Sequence, residues 1–213
     1  MTLNQAGRRL ASAASFDPNA YDELRDDPAA TPVAVGVVIV ATLLAATGGF
    51  LWALIAAAPP QIYKIALAHF LLRSVLLGSI LQIALWFVWV AVTWFYLRNV
   101  YLLREVSIQR LLRTMGFAFA PMALQILLWF PVVEFPVGLI ALAATFGCTV
   151  LAVRAAAGST PAQALISTLM GFALFVLALG ILGTSDSDLA PGIFALDPNS
   201  LSVAVELDLD SGR

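Results

Sequence analysis

Long uncharged apolar runs, separated by short polar or basic breaks, dominate the chain from Val33 onward. A helix needs about 20 apolar residues to cross roughly 30 Å of hydrocarbon. Five runs approach that length: 33–57, 75–97, 114–130, 135–153 and 162–183. Pro59-Pro60 closes the first, Arg73 and Arg98 bound the second, and Glu134 and Arg154 bound the fourth. The third and fourth are separated only by Pro131-Val-Val-Glu134, so they read as two spans or as one bent hairpin with Glu134 in a surface turn. The fifth opens on Thr160-Pro161-Ala162-Gln163, a capping box with proline at the first helical position.

Two shorter stretches read as amphipathic. Pro18–Arg25 follows Asp17, a good N-cap, and puts Tyr21 and Leu24 on one side. Residues 62–73 mix Lys64, His69 and Arg73 with Ile65, Phe70 and Leu72. Either can lie in a membrane interface, and the second can instead extend the span that follows. The end of the chain, Leu201 to Asp210, alternates apolar and polar residues with the period of a strand. One strand is not stable alone. The tail is therefore expected to be loosely packed, or paired with a partner's sheet edge or a second copy.

Composition supports lipid as the solvent: 61% of the 213 residues are hydrophobic and only 11% charged, against roughly a quarter charged in a soluble domain. The expected fold class is an all-α integral membrane protein with five transmembrane helices, short loops and an acidic C-terminal tail. Residues 1–31 form a polar N-terminal segment, 32–183 the five-span domain and 184–213 the tail. Arg8, Arg9, Arg25, Arg98, Arg104, Arg110, Arg113 and Arg154 fall on one side of such a topology, and Lys64, Arg73 and Arg213 on the other. The positive-inside rule then puts the N-terminus in the cytoplasm and the tail outside the cell membrane. A net charge of −2 argues against a nucleic-acid partner.

Chemistry is sparse. A zinc site built from several His ligands is excluded within one chain because His69 is the only histidine, and Cys148 is the only cysteine. Asp186-Ser-Asp188 reads as a solvated turn rather than a calcium loop. The five runs contain no ionisable residue, which weakens an ion-coupled transporter reading. The expectation is therefore no catalytic set, no metal, no cofactor and no enzyme activity. Gln82 and Gln125 are candidates for hydrogen bonds between spans, while Gly48, Gly49, Gly78, Gly147, Gly171 and Gly180 permit close approach within the fold or between copies. Trp86 and Trp89 are expected deep among the helices, with Trp94, Tyr96 and Trp129 at the interfaces.

The most distinctive stretch runs from Ser107 to Pro121. Ser107 can cap a helix whose first turns carry Arg110 and Arg113, Gly116 admits a close neighbour, and Pro121 removes a hydrogen bond and bends the span. Arg110 and Arg113 lie one turn apart and are candidates for contact with anionic lipid headgroups or an acidic partner.

In its pattern Arg110-Leu-Leu-Arg113-Thr-Met-Gly116-Phe117-Ala-Phe-Ala-Pro121 the chain resembles the Yip family, the Ypt-interacting-protein membrane domain. The turn from Pro131 to Pro136, the fourth span ending Val153-Arg154 and the Gly158-Ser-Thr-Pro-Ala-Gln-Ala164 opening of the fifth continue the resemblance. So does Asp17-Pro-Asn-Ala-Tyr21-Asp-Glu-Leu-Arg-Asp26 before the first span. It covers about residues 16–183, and departs at Phe117, where eukaryotic members more often carry tyrosine. The resemblance implies five spans, a cytoplasmic N-terminus, structural roles for Gly116, Phe117 and Pro121, and a non-catalytic scaffold or interaction subunit that assembles with other membrane proteins or itself. The Rab-binding role of eukaryotic members is not carried over, because the Arg- and Ala-rich composition reads as prokaryotic and the N-terminal segment is short. A small permease or channel component is the alternative.

Overall fold

The computed structural model describes residues 3–56, 71–130, 132–185 and 189–196. Pro59-Pro60, Lys64, His69, Pro131, Asp186-Ser-Asp188 and the alternating 201–210 stretch lie outside these residues, as does Arg213. Every element among the described residues is helical. Two short helices, α1 (Leu3–Ala14) and α2 (Pro18–Arg25), precede α3 (Ala30–Ala56). Next comes α4 (Gly78–Phe95), flanked by π-helical turns at Leu71–Leu77 and Tyr96–Val100. Helix α5 (Ile108–Ala118) continues as a 3₁₀ segment, Ala120–Trp129, and is followed by α6 (Glu134–Ala157) and α7 (Pro161–Ser185). A short 3₁₀ turn, Gly192–Ala195, closes the described chain.

Five helical stretches are long and apolar enough to cross a membrane: Ala30–Ile55, Leu71–Val100, Ile108–Trp129, Glu134–Ala157 and Pro161–Ser185. They correspond one to one with the five runs read from the sequence. A Cβ on Gly116 would meet Ala34, and one on Gly48 would meet the Gln125 backbone, so the first and third stretches run parallel. Trp89 Nε1 donates to the Thr168 carbonyl and Thr93 Oγ1 to the Ser167 carbonyl, so the second and fifth run antiparallel. That alternation places α1, α2 and the Arg98, Arg110 and Arg154 ends of the spans together. We call this the N-terminal end of the bundle, and the end holding Gly192–Ala195 the distal end.

Local caps follow the sequence closely. Asp17 accepts from the Asn19 N–H at 3.0 Å and Ser107 from the Gln109 N–H at 3.3 Å. In the Thr160 box the Gln163 side chain accepts from the Thr160 N–H at 3.0 Å, and the Thr160 hydroxyl accepts from the Gln163 N–H at 3.4 Å. Gly158 ends α6 in the left-handed region, φ 58°.

At Pro121 the helix does not simply bend. Proline has no N–H to return to residue 117. The Phe119 and Met122 amides instead bond to the Gly116 and Phe119 carbonyls, three residues back, and the narrower winding continues to Trp129. Glu134, expected in a surface turn, opens α6, where a carboxylate faces the positive end of the helix dipole.

The interior is aromatic. Trp86 and Trp89 are buried, as their depth suggested, and rings of Trp86, Phe119, Phe175 and Trp89 follow one another at centroid separations of 6.5, 6.2 and 5.5 Å. Edge and tilted contacts of this kind add to the burial of large apolar area. The outward faces carry exposed Val40, Ile80, Phe87, Ile140, Leu177 and Ile181.

Candidate functional site

Two regions bring together side chains that the sequence scatters. The first is at the N-terminal end. Helix α1 has no counterpart in the sequence reading, because residues 3–14 are too polar for a span. Helix α2, a candidate for the membrane interface, docks on the bundle. Tyr21 and Leu24 are fully buried with Ala34, Phe117 and Cys148 in a second apolar cluster. The Tyr21 hydroxyl donates to the Ala13 carbonyl at 2.8 Å, and burial pushes its pKa well above the usual phenol value. Burying two large apolar side chains favours docking by about 1.5–3 kcal/mol each. Phe16, at φ 61°, turns the chain between α1 and α2 and lays its ring against Gly147.

Charged groups then tie this segment down. Arg9 pairs with Asp27 at 2.6 Å and Glu23 at 3.6 Å. Arg25 pairs with Asp26 at 3.0 Å and donates to the Ala155 carbonyl, in the last turn of α6, at 3.2 Å. Helix C-terminal carbonyls lack intrahelical donors, and a cation there also meets the negative end of the dipole. Arg113 repeats the device: its Nη1 donates to the Arg25 carbonyl, at the end of α2, and its Nε to the Thr31 hydroxyl, both at 2.9 Å. Arg110 pairs with Asp26 at 3.1 Å. The Asp26 carboxyl is held below the usual range, chiefly by the hydrogen bond from Arg25 with the charges of Arg25, Arg110 and Arg113 added; Asp27 is held low chiefly by Arg9.

This geometry revises the expectation for the two arginines. Arg110 and Arg113 do share one side of α5, but that side faces residues 25–31. Arg113 is 8% exposed and its Nε and Nη1 are engaged by protein, so it has little to offer a lipid headgroup. Arg110 is about half exposed and bonded to Asp26.

Gly116, Phe117 and Pro121 are all buried. A Cβ on Gly116 would lie 2.7 Å from the Ala34 Cβ and 2.9 Å from the Ala34 carbonyl oxygen, so α3 and α5 touch here at backbone distance. Phe117 belongs to the cluster under α2. The motif thus sits beneath the docked N-terminal segment, joining it to the spans.

The second region is at the distal end, and the sequence reading missed it. Residues 189–196, part of the tail expected to pack loosely, are inserted among the spans. Ala190, Gly192 and Ala195 are buried. Glycines on four spans face this segment. A Cβ on Gly49 would meet the Gly192 carbonyl oxygen at 3.0 Å, one on Gly78 the Leu189 carbonyl oxygen at 2.7 Å, one on Gly138 the Ile193 side chain and one on Gly183 the Phe194 carbonyl oxygen. The Gln125 side-chain carbonyl accepts from the Ile193 N–H at 3.2 Å. Gln125 therefore bonds the tail rather than a neighbouring span. Gln82 Oε1 has no partner among the described residues.

Among the described residues no group of three or more His, Cys, Asp or Glu side chains is placed to hold a metal. No protein-family model matches the chain, and neither a curated protein nor a solved structure is detectably similar to it. Among its described residues the chain is thus all-helical, with five helices of membrane-crossing length and apolarity.

Proposed function

We propose that the chain is a non-catalytic multi-pass membrane protein, inserted through its five long helices with the N-terminus in the cytoplasm. On this reading it works as a scaffold or interaction subunit similar to Yip-family proteins. The observation that carries the proposal is the division of the bundle's surfaces. The outward faces of the spans bear large apolar side chains suited to lipid. Among the described residues the buried polar side chains of the spans are Ser, Thr and Gln, with Arg113 at the N-terminal end engaged by protein. Such groups hold helices together and supply no general acid, base or activated nucleophile. The docked α1–α2 unit adds a folded, charged platform at one end, which is where a partner would be met.

A small permease or channel component is the second reading. It is favoured by the buried polar atoms without partners on Thr42, Ser79, Gln82, Trp86 and Gln125. Purification in mild detergent, followed by identification of co-purifying proteins, tests the scaffold reading. A stoichiometric membrane partner, or a stable homo-oligomer, is expected. A lone monomer that conducts a solute after reconstitution would overturn it.

A further inference from the structure

Unpartnered polar atoms in the spans gather beneath the inserted distal segment. The Trp89 and Trp94 indoles, nearer the N-terminal end, both donate to carbonyls, of Thr168 and Val106. Trp86, one turn closer to the distal end, does not. Ser79, Gln82 and Trp86 recur at helical spacing down the buried face of α4, starting next to Gly78, which abuts the Leu189 carbonyl. On α3, Thr42 lies about 10 Å below Gly49, which abuts Gly192, at 1.5 Å rise per residue. Gln125 sits between, its carbonyl bonded to Ile193 and its amide nitrogen without a partner. Glu134, at the distal end one turn before Gly138, also carries a buried unpartnered oxygen, as do Ser159 and Thr168 farther from the segment.

Leaving a buried donor or acceptor unpaired costs about 1–3 kcal/mol, and several such groups along one path are rarely kept for packing alone. The atoms are almost wholly inaccessible in this arrangement, so they cannot meet a polar ligand unless something moves. The segment that covers them is short, follows the last span, and among the described residues is held by the Gln125 hydrogen bond, close contacts with span glycines and the packing of Ile193 and Phe194 against the main apolar core.

We infer that residues 189–196 are a displaceable stopper at the distal end, whose release admits water or a small uncharged polar molecule to the path lined by Thr42, Ser79, Gln82, Trp86 and Gln125. These five side chains offer donors and acceptors without charge, which suits neutral polar species, while the Glu134 carboxylate stands at the distal end beside the segment. The inference goes beyond the scaffold reading and rests only on the placement of the bundle in a bilayer or micelle.

The test uses the full chain in detergent with Cys148→Ser and Ser79→Cys, and a small water-soluble thiol reagent as probe. Gly192→Val unseats the segment: Gly192 is at φ 61°, and the Gln125 oxygen occupies the place of its Cβ. Gly180→Val is the control, with nothing within 4 Å. Labelling of residue 79 is expected to accelerate about tenfold or more in Gly192→Val, as for a site released from local closure, and to stay at the parent rate in Gly180→Val. Parent-rate labelling in a folded Gly192→Val overturns the inference.

Should Gly192→Val not fold, a second pair decides. In the Cys148→Ser chain, Gly49→Cys and Ala195→Cys place Cβ atoms 3.3 Å apart, near the lower limit of about 3.5 Å for a disulfide. The pair is expected to cross-link on mild oxidation, and reduction to raise hydrogen exchange at residues 79–86. Failure to cross-link, or equal exchange in both states, overturns the inference. Neither result bears on membrane orientation, which reporter fusions read separately.

Discussion

The side-chain carbonyl of Gln125 accepts a hydrogen bond at 3.2 Å from the backbone N–H of Ile193, 68 residues further along the chain. It is the polar anchor of a segment otherwise held by shape. Gln125→Leu removes the acceptor and leaves the Ile193 N–H without one, a loss of about 1–3 kcal/mol. Thermal unfolding in detergent should show a lower midpoint, and limited proteolysis should show earlier cutting near residues 189–196. An unchanged midpoint and cleavage pattern would mean that the segment is not held there.

Gly116 is the point where α3 and α5 meet. A leucine there has no space, since a Cβ would already press on the Ala34 Cβ and carbonyl oxygen. Overpacking of this sort costs about 1–3 kcal/mol or more. Gly116→Leu should therefore melt well below Gly180→Leu, whose position is open. Gly158 is an unsuitable comparison even though its surroundings are open, because its φ of 58° strains any side chain placed there. Equal melting of Gly116→Leu and Gly180→Leu would refute the contact.

Arg113 and Arg110 should separate in experiment. Arg113→Ala leaves the Arg25 carbonyl and the Thr31 hydroxyl without their donor in a part-buried place, whereas Arg110→Ala removes an exposed ion pair worth about 0–1 kcal/mol. Arg113→Ala should make α1–α2 markedly more sensitive to protease, and Arg110→Ala should change this little. If anionic lipid co-purifies, its retention should respond to Arg110→Gln more than to Arg113→Gln. The reverse ranking in either assay would contradict the buried role of Arg113.

The docked N-terminal segment should loosen in acid. Asp26 and Asp27 have depressed folded-state pKa values. Such groups add stability above their unfolded pKa of about 3.9 and lose it as pH falls through the folded value. Paramagnetic labels at Asn19 and Arg154 should report one narrow distance from neutral pH down to about pH 4, and a broader one below. Broadening on the alkaline side instead would show that these carboxylates do not hold the segment.

What could be read from the sequence was what is local. The spans follow from runs of apolar residues long enough for a bilayer, and the caps at Asp17, Ser107 and Thr160 follow from side chains that reach amides two or three residues away. Long-range pairings left no such mark. Arg113 looked like a headgroup ligand because its partners, Arg25 and Thr31, lie 88 and 82 residues away. Residues 189–196 looked like loose tail because the seat is made of single glycines on four separate spans, which carry no periodicity of their own. Gly49 and Gly78 read as helix-contact positions, yet each meets the backbone of the tail segment.

The central claim, a five-span membrane protein with α1–α2 in the cytoplasm and its two termini on opposite sides, is tested most directly by topology. Reporter domains fused in the loop at residue 105 and at the C-terminus should report opposite compartments in cells, with residue 105 on the cytoplasmic side. Reporters on the same side, or a chain released from membranes by salt or alkaline washing, would contradict it.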